Sequence, residues 1–214
     1  FVGNKASSGG SIYGHGKITL LNTNITASEA THKGGGCRCT SGSTCSFTNV
    51  LINGNTAHDG GGVFLYKCTF HMRGSIVEAN TATKKGGGVY MEYSTASINE
   101  TRFYKNEVQY RGGGIYMIGN IADGPSVLTM SRSVLEENQQ TSTAGYAQNG
   151  GGGLYIQYNS SAVLRETTFI GNIANADSAG SGNHGHQIMT YKANSAYATS
   201  LGVTLINSRM ENCV

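Results

Sequence analysis

Five cysteines, six histidines and twelve carboxylate side chains are the residues of this 214-residue chain that could exchange thiols, bind a metal or move protons. The cysteines stand at 37, 39, 45, 68 and 213, so four of them fall close together. A Cys-x-Cys pair followed by a third Cys is a conceivable metal site, but the spacing of zinc sites is absent. Disulfide chemistry is the leading expectation for Cys37, Cys39, Cys45 and Cys68, with a stack of buried free thiols and a metal as alternatives. Two bridges among these four allow three connectivities, and Cys39 with Cys45 would close one corner of the chain. Cys213 is left without a partner.

The groups that could do acid–base work are sparse. His184-Gly185-His186 and His58-Asp59 have no carboxylate or Cys at supporting spacing and read as loop residues. Asp59, Asp123 and Asp177 recur at no fixed interval. No cofactor is expected and no catalytic residue is assigned. Modification is the third possible chemistry. Asn24-Ile25-Thr26, Asn99-Glu100-Thr101 and Asn159-Ser160-Ser161 are N-glycosylation sequons.

Recurrence shows what positions these residues. Glycine triplets start at Gly34, Gly60, Gly86 and Gly112, every 26 residues, and again at Gly151. Each is followed by an apolar-x-apolar strand: Val63-Phe64-Leu65, Val89-Tyr90-Met91, Ile115-Tyr116-Met117 and Leu154-Tyr155-Ile156. A large apolar residue followed three positions later by Asn recurs at Phe1/Asn4, Ile52/Asn55, Val77/Asn80, Phe103/Asn106, Leu135/Asn138 and Phe169/Asn172. Five and seven residues before each such slot lie two further apolar columns, one through Leu20, Phe47, Met72 and Ile98, the other through Ile18, Cys45, Phe70 and Ala96. A separation of two is the period at which strand side chains return to one face.

Short strands parted by Gly and Asn turns cannot bury an apolar face alone, but stacked coil on coil they make one core. The expected fold is all-β: a parallel β-helix of about seven coils in a single unit spanning residues 1–214. In each coil the large apolar slot and its Asn sit in a turn. The last three coils lengthen through insertions around Ala122–Pro125, Gln139–Asn149 and Ala176–His186. At strand spacing seven coils make a rod of roughly 34 Å. It begins and ends in mid-coil, so the chain is expected to be a fragment of a longer repeat protein, continued by more coils or by a neighbouring subunit.

Strand parity assigns the faces. The Asn slots Asn4, Asn55, Asn80, Asn106, Asn138 and Asn172 read as an internal ladder of amides bonding the turns of successive coils. Tyr13, Phe64, Tyr90, Tyr116 and Tyr155 lie between inward residues and read as an exposed column. That column is either plain strand propensity or a contact stripe for glycans or a neighbouring rod. Asn24, Asn99 and Asn159 each adjoin a residue read as inward (Ile25, Ile98 and Tyr158), so all three sequons face outward. An ice-binding face would need an array of outward Thr, and no such column is expected. Enzymes on β-helices set several carboxylates on one exposed strand face. Here the comparable positions are aromatic, so no enzymatic activity is expected.

The glycine-led motif paired with Phe-x-x-Asn resembles the chlamydial polymorphic membrane protein repeats and related repeats of large eukaryotic surface proteins, over almost the whole chain. Those repeats typically carry Gly-Gly-Ala where this chain has a third Gly and then often Tyr. The resemblance implies a right-handed β-helix with an adhesin-like or surface-coat role.

Composition is consistent with this. One Pro, no Trp, 32 Gly and 13% charged residues fit neither a disordered tail nor a coiled coil. The net charge of +3 is spread without a Lys/Arg cluster in the sequence, so nucleic acid and anionic membrane are not expected partners. No apolar run is long enough to span a membrane. The reading is an extracellular or cell-surface structural or adhesive module, a possible filament or coat protomer, which self-associates end to end or meets glycans or cell-surface proteins. The alternative is a carbohydrate-binding or carbohydrate-active β-helix.

Overall fold

The computed structural model describes residues 1–142, 149–175, 186–191 and 201–211. It is a parallel β-helix with four sheets of seven strands each. One coil shows the design. Thr81–Lys85 belongs to sheet I, Val89–Glu92 to sheet II, Thr95–Asn99 to sheet III and Arg102–Tyr104 to sheet IV. The next coil repeats the order one strand further along every sheet.

Register fixes the apolar columns. On sheet II, Val63, Val89, Ile115 and Leu154 are successive partners. On sheet III, Phe47, Met72, Ile98, Met130 and Leu164 stack in line. On sheet IV, Ile25, Ile52, Val77, Phe103, Leu135 and Phe169 do the same. These residues form one continuous core cluster and nearly all are fully buried. Each such side chain contributes about 1.5–3 kcal/mol of transfer free energy. Each also borders its equivalents one coil up and one coil down, so no coil has a private core.

Two expectations are corrected. The large apolar slot does not sit in a turn. It is the middle residue of a three-residue strand, as Phe103 is of Arg102–Tyr104, and the strands following its Asn make sheet I. A coil therefore has four strands, and strands this short leave little periodicity to read. The absence of a Thr column also fails: Thr44, Thr69 and Thr95 are successive partners on the outer face of sheet III, bounded by Lys17 and Val127.

Three corners of a coil use one device. In the coil above, Tyr93, Glu100 and Lys105 adopt positive φ (52°, 51° and 52°), and each is followed by Ser94, Thr101 or Asn106. L-residues in this conformation cost about 1–2 kcal/mol each, so the polar residue that follows must offset it. The fourth corner is the glycine triplet. Gly86 takes positive φ (64°), and a Cβ on Gly87 would lie 2.5 Å from the carbonyl oxygens of both Glu107 and Gly113. The middle glycine is required by the close approach of the next coil.

Candidate functional site

The most recurrent polar residues are spent on coil-to-coil contacts. Asn55, Asn80, Asn106, Asn138 and Asn172 are buried. Asn106 Nδ2 donates to Val77 O (2.8 Å) and to Asn138 Oδ1 (2.9 Å), and its Oδ1 accepts from the backbone N and Nδ2 of Asn80. The neighbours repeat this pattern. The Asn4 side chain does not join the ladder: it is exposed in the first coil and donates to Ser11 Oγ, while the Asn4 backbone N–H donates to Ser28 Oγ (3.4 Å), Ser28 holding the equivalent place in the next coil without an amide. At the far end Asn172 Nδ2 donates to Gln187 Oε1.

Two further ladders were missed in the sequence. Ser75, Thr101, Ser133, Thr167 and Ser208 each stand two residues before an apolar slot. Their hydroxyls donate to the carbonyl two residues back. The serine oxygens of this set, Ser75, Ser133 and Ser208, also accept a backbone N–H from the preceding coil, as Ser133 Oγ does from Thr101 N at 3.1 Å. Between sheets II and III, Ser94 and Ser126 accept backbone N–H groups of Cys68 and Ser94 in the same way, although Ser126 donates across an insertion to Ile118 O, and Cys68 takes the place of a serine. The signal was present as Ser/Thr-x-apolar-x-x-Asn.

The aromatic column is corrected. Phe64, Tyr90, Tyr116 and Tyr155 are buried; only Tyr13, at the end of the column, is exposed. Parity placed them on the correct side of the strand, since they form a cluster separate from the main core. Parity does not report curvature. The glycine corner folds sheet I back toward the outer side of sheet II, so that a Cβ on Gly86 or Gly112 would meet the Cβ of Tyr90 or Tyr116 at 2.8 Å. The residues that end sheet I, Lys33, Asp59, Lys85 and Arg111, are bridge partners in line beside the triplets. The Lys33 ammonium lies 4.4 Å from the Phe64 ring centre and that of Lys85 lies 5.4 Å from Tyr116. The rings contact one another edge-on, 4.8 Å apart from Phe64 to Tyr90 and from Tyr90 to Tyr116.

Burial pushes the phenols of Tyr90, Tyr116 and Tyr155 well above the usual tyrosine range. Phenols that hold their protons more tightly when folded contribute stability present in full below the unfolded value of about 10 and lost as pH rises beyond it. In an alkaline titration followed by tyrosinate absorbance and circular dichroism, these three ionise together with unfolding. Their ionisation in a still-folded chain would contradict the buried column.

Beside this column the outer corner opens into a cleft of about 370 Å³ lined by Lys84, Lys85, Tyr110, Arg111 and Asn149. Arg111 Nη1 donates to Gln157 Oε1 (3.4 Å), which also accepts from the Tyr116 hydroxyl. Asp59 belongs to the same row; its Oδ2 is 3.3 Å from His58 Nδ1, while its buried Oδ1 has no hydrogen-bond partner. This concentration of cations was invisible in the chain because Arg111 stands one coil from Lys84-Lys85.

Cys39 and Cys45 form a disulfide across the corner between sheets II and III. The second bridge is absent: Cys37 and Cys68 are free and buried. Cys37 stacks between Ile12 and Val63 on sheet II, whereas Cys68 occupies the serine ladder position. Burial, with a smaller contribution from Cys68, pushes the Cys37 thiol up to about 12; burial raises Cys68 as well. At mildly alkaline pH alkylation should therefore label Cys37 and Cys68 only after denaturation, and Cys39 and Cys45 only after reduction as well. Labelling of Cys37 in the native chain would contradict this packing. Cys213, Asp177 and His184-Gly185 lie outside the described residues.

The sequons differ in setting. Asn24 is exposed. Asn99 is half-buried, and its Oδ1 accepts from Ser131 Oγ and Arg132 Nη2. Asn159 Nδ2, the atom a glycan would take, donates to Asn120 O at 3.0 Å. Tyr158 beside it is a corner residue with φ of 56°, not an inward one. The Ala122–Pro125 insertion is held by Asp123, which pairs with Lys67 at 2.7 Å. Most of the other two insertions lies outside the described residues. Among the described residues no group of three or more His, Cys, Asp or Glu is placed to hold a metal, and no helix is long and apolar enough to cross a membrane.

Fold and corners together define the class, a four-sheet parallel β-helix solenoid with internal polar ladders. No family model, no curated protein and no solved structure matches this chain.

Proposed function

We propose that the chain is an extracellular structural or adhesive β-helix module, one stretch of a rigid surface rod that serves a filament or coat. The observation that carries this reading is the use of the recurring polar residues. Asn, Ser and Thr at the corners are engaged between coils, and the sheet II column tyrosines Tyr90, Tyr116 and Tyr155 are packed away, so repetition supplies stiffness instead of a repeated reactive face. The disulfide supports an oxidising compartment, and the resemblance to surface-protein repeats points the same way. Inward columns run to both end coils, where Leu205 and Met210 are exposed and Ile18 and Leu20 half-buried. Another coil of the same register, from a second copy or from the same protein, fits these faces.

Intact mass of the protein from its native source, before and after glycosidase and before and after reduction, tests this. Glycan on Asn24, an unmodified Asn159 and one bridge between Cys39 and Cys45 are the expected result. An unglycosylated, fully reduced chain would contradict the extracellular reading. Filaments held by side loops without end-to-end continuity of the coils would contradict the stacking part. Release of product from a polysaccharide would replace the structural reading with the carbohydrate-active alternative.

A further inference from the structure

We propose that the cleft formed by Lys84, Lys85, Tyr110, Arg111 and Asn149 binds an acidic sugar through its oxyanion, a sulfate or a carboxylate. Three cations converge there from two adjacent coils, Lys85 and Arg111 being direct bridge partners. Like charges one strand spacing apart repel, and partial burial of Lys85 strengthens the repulsion. Neither Lys84 nor Lys85 is within ion-pair distance of a carboxylate among the described residues. Of the two acids that act on Lys85, Glu92 faces Lys33 at 3.5 Å, and Asp59, the strand partner of Lys85, has one oxygen 3.3 Å from His58 and lies beyond ion-pair distance of Lys85.

Burial lowers the Lys85 ammonium's affinity for its proton. Asp59 opposes that, and Arg111 and Lys84 add to it. An anion seated among the three would relieve both the repulsion and the desolvation. The other lining residues favour a sugar as the carrier of the charge. Tyr110 offers an aromatic surface, Asn149 lines the wall as a buried side chain, and the volume is of the size that takes a small organic ligand instead of a bare ion. This inference rests on charge and shape and does not require the extracellular reading.

Calorimetric titration of the folded chain with a sulfated oligosaccharide, an oligouronate, a neutral oligosaccharide and sodium sulfate tests it. At least one acidic oligosaccharide should bind more tightly than sodium sulfate, with affinity falling as salt is raised, and the neutral one should not bind. The sulfated and uronate arms identify which oxyanion is preferred. Lys85→Gln should lower the affinity roughly tenfold. Lys84→Gln, at an exposed side chain that leaves folding intact, should lower it several-fold, and Lys105→Gln, a cation outside the cleft, should leave it unchanged. The proposal is overturned if neither acidic sugar binds, if the neutral sugar binds as well, if sodium sulfate binds as tightly as either acidic sugar, or if Lys105→Gln weakens binding as much as Lys84→Gln.

Discussion

Replacing Gly87 with Ala should destabilise the rod by roughly 3 kcal/mol or more. The added Cβ would lie 2.5 Å from two backbone carbonyl oxygens, Glu107 O on the next strand of sheet I and Gly113 O on the next triplet. Neither can retreat without breaking the register that Gly88 N and Val89 N hold against the following triplet. The control is built into the molecule. Gly54 has the positive φ (64°) that Gly87 lacks, but a Cβ there meets nothing closer than 4.0 Å, and alanine already occupies the equivalent corner at Ala27 and Ala79. Gly54→Ala should therefore cost only the conformational term, about 1 kcal/mol. Denaturant unfolding of the two variants separates steric exclusion from conformational preference. Equal losses would show that the glycine corner is not a close approach of coils.

Asn106→Leu should cost about as much, roughly 3–5 kcal/mol, by a different route. Asn106 satisfies four groups: the backbone N–H and side-chain amide of Asn80, the carbonyl of Val77 and the Oδ1 of Asn138. Asn138 Oδ1 keeps its bond from the Asn106 backbone N–H and Asn80 Nδ2 keeps its bond to Ile52 O, so the Asn80 backbone N–H and the Val77 carbonyl are the two groups that lose the partner Asn106 gave them in a buried site. At about 1–3 kcal/mol for each, that loss outweighs the gain from an added apolar side chain. Asn4→Leu, at an exposed position outside the ladder, should cost under about 1 kcal/mol. Comparable losses at the two positions would mean that the ladder does not hold the coils together.

Much of this architecture is legible in the chain because a solenoid turns long-range contacts into fixed sequence intervals. Phe47, Met72 and Ile98 could be aligned by counting, and they are strand partners. Parity likewise separated Val89 and Met91 from Tyr90. What parity cannot supply is curvature: Tyr90 faces away from the main core and is still buried, because the chain turns concave at Gly86. Three-residue strands such as Arg102–Tyr104 are too short to show a period, so the fourth side of the coil read as a turn. Serine and threonine at the corners were hidden by their frequency, since only their placement two residues before a core slot distinguishes Thr101 from an ordinary surface threonine. Lys85 and Arg111 stand a coil apart, so their cleft appears only when coils are stacked.

Cross-linking tests that stacking most directly. Ser97 and Thr129 are separated by a whole coil, yet they are direct partners on the exposed face of sheet III, and Ser131 pairs with Asn99 instead. Neighbouring parallel strands lie about 4.8 Å apart, within the range a disulfide spans, whereas a two-residue offset along the strand adds roughly 6.6 Å. Cysteines placed at 97 and 129 should close a disulfide readily in the native chain, and cysteines at 97 and 131 should not. Efficient closure of the offset pair, or failure of the in-register pair in a folded protein, would contradict the coil register on which the ladders, the buried aromatic column and the cationic cleft all depend.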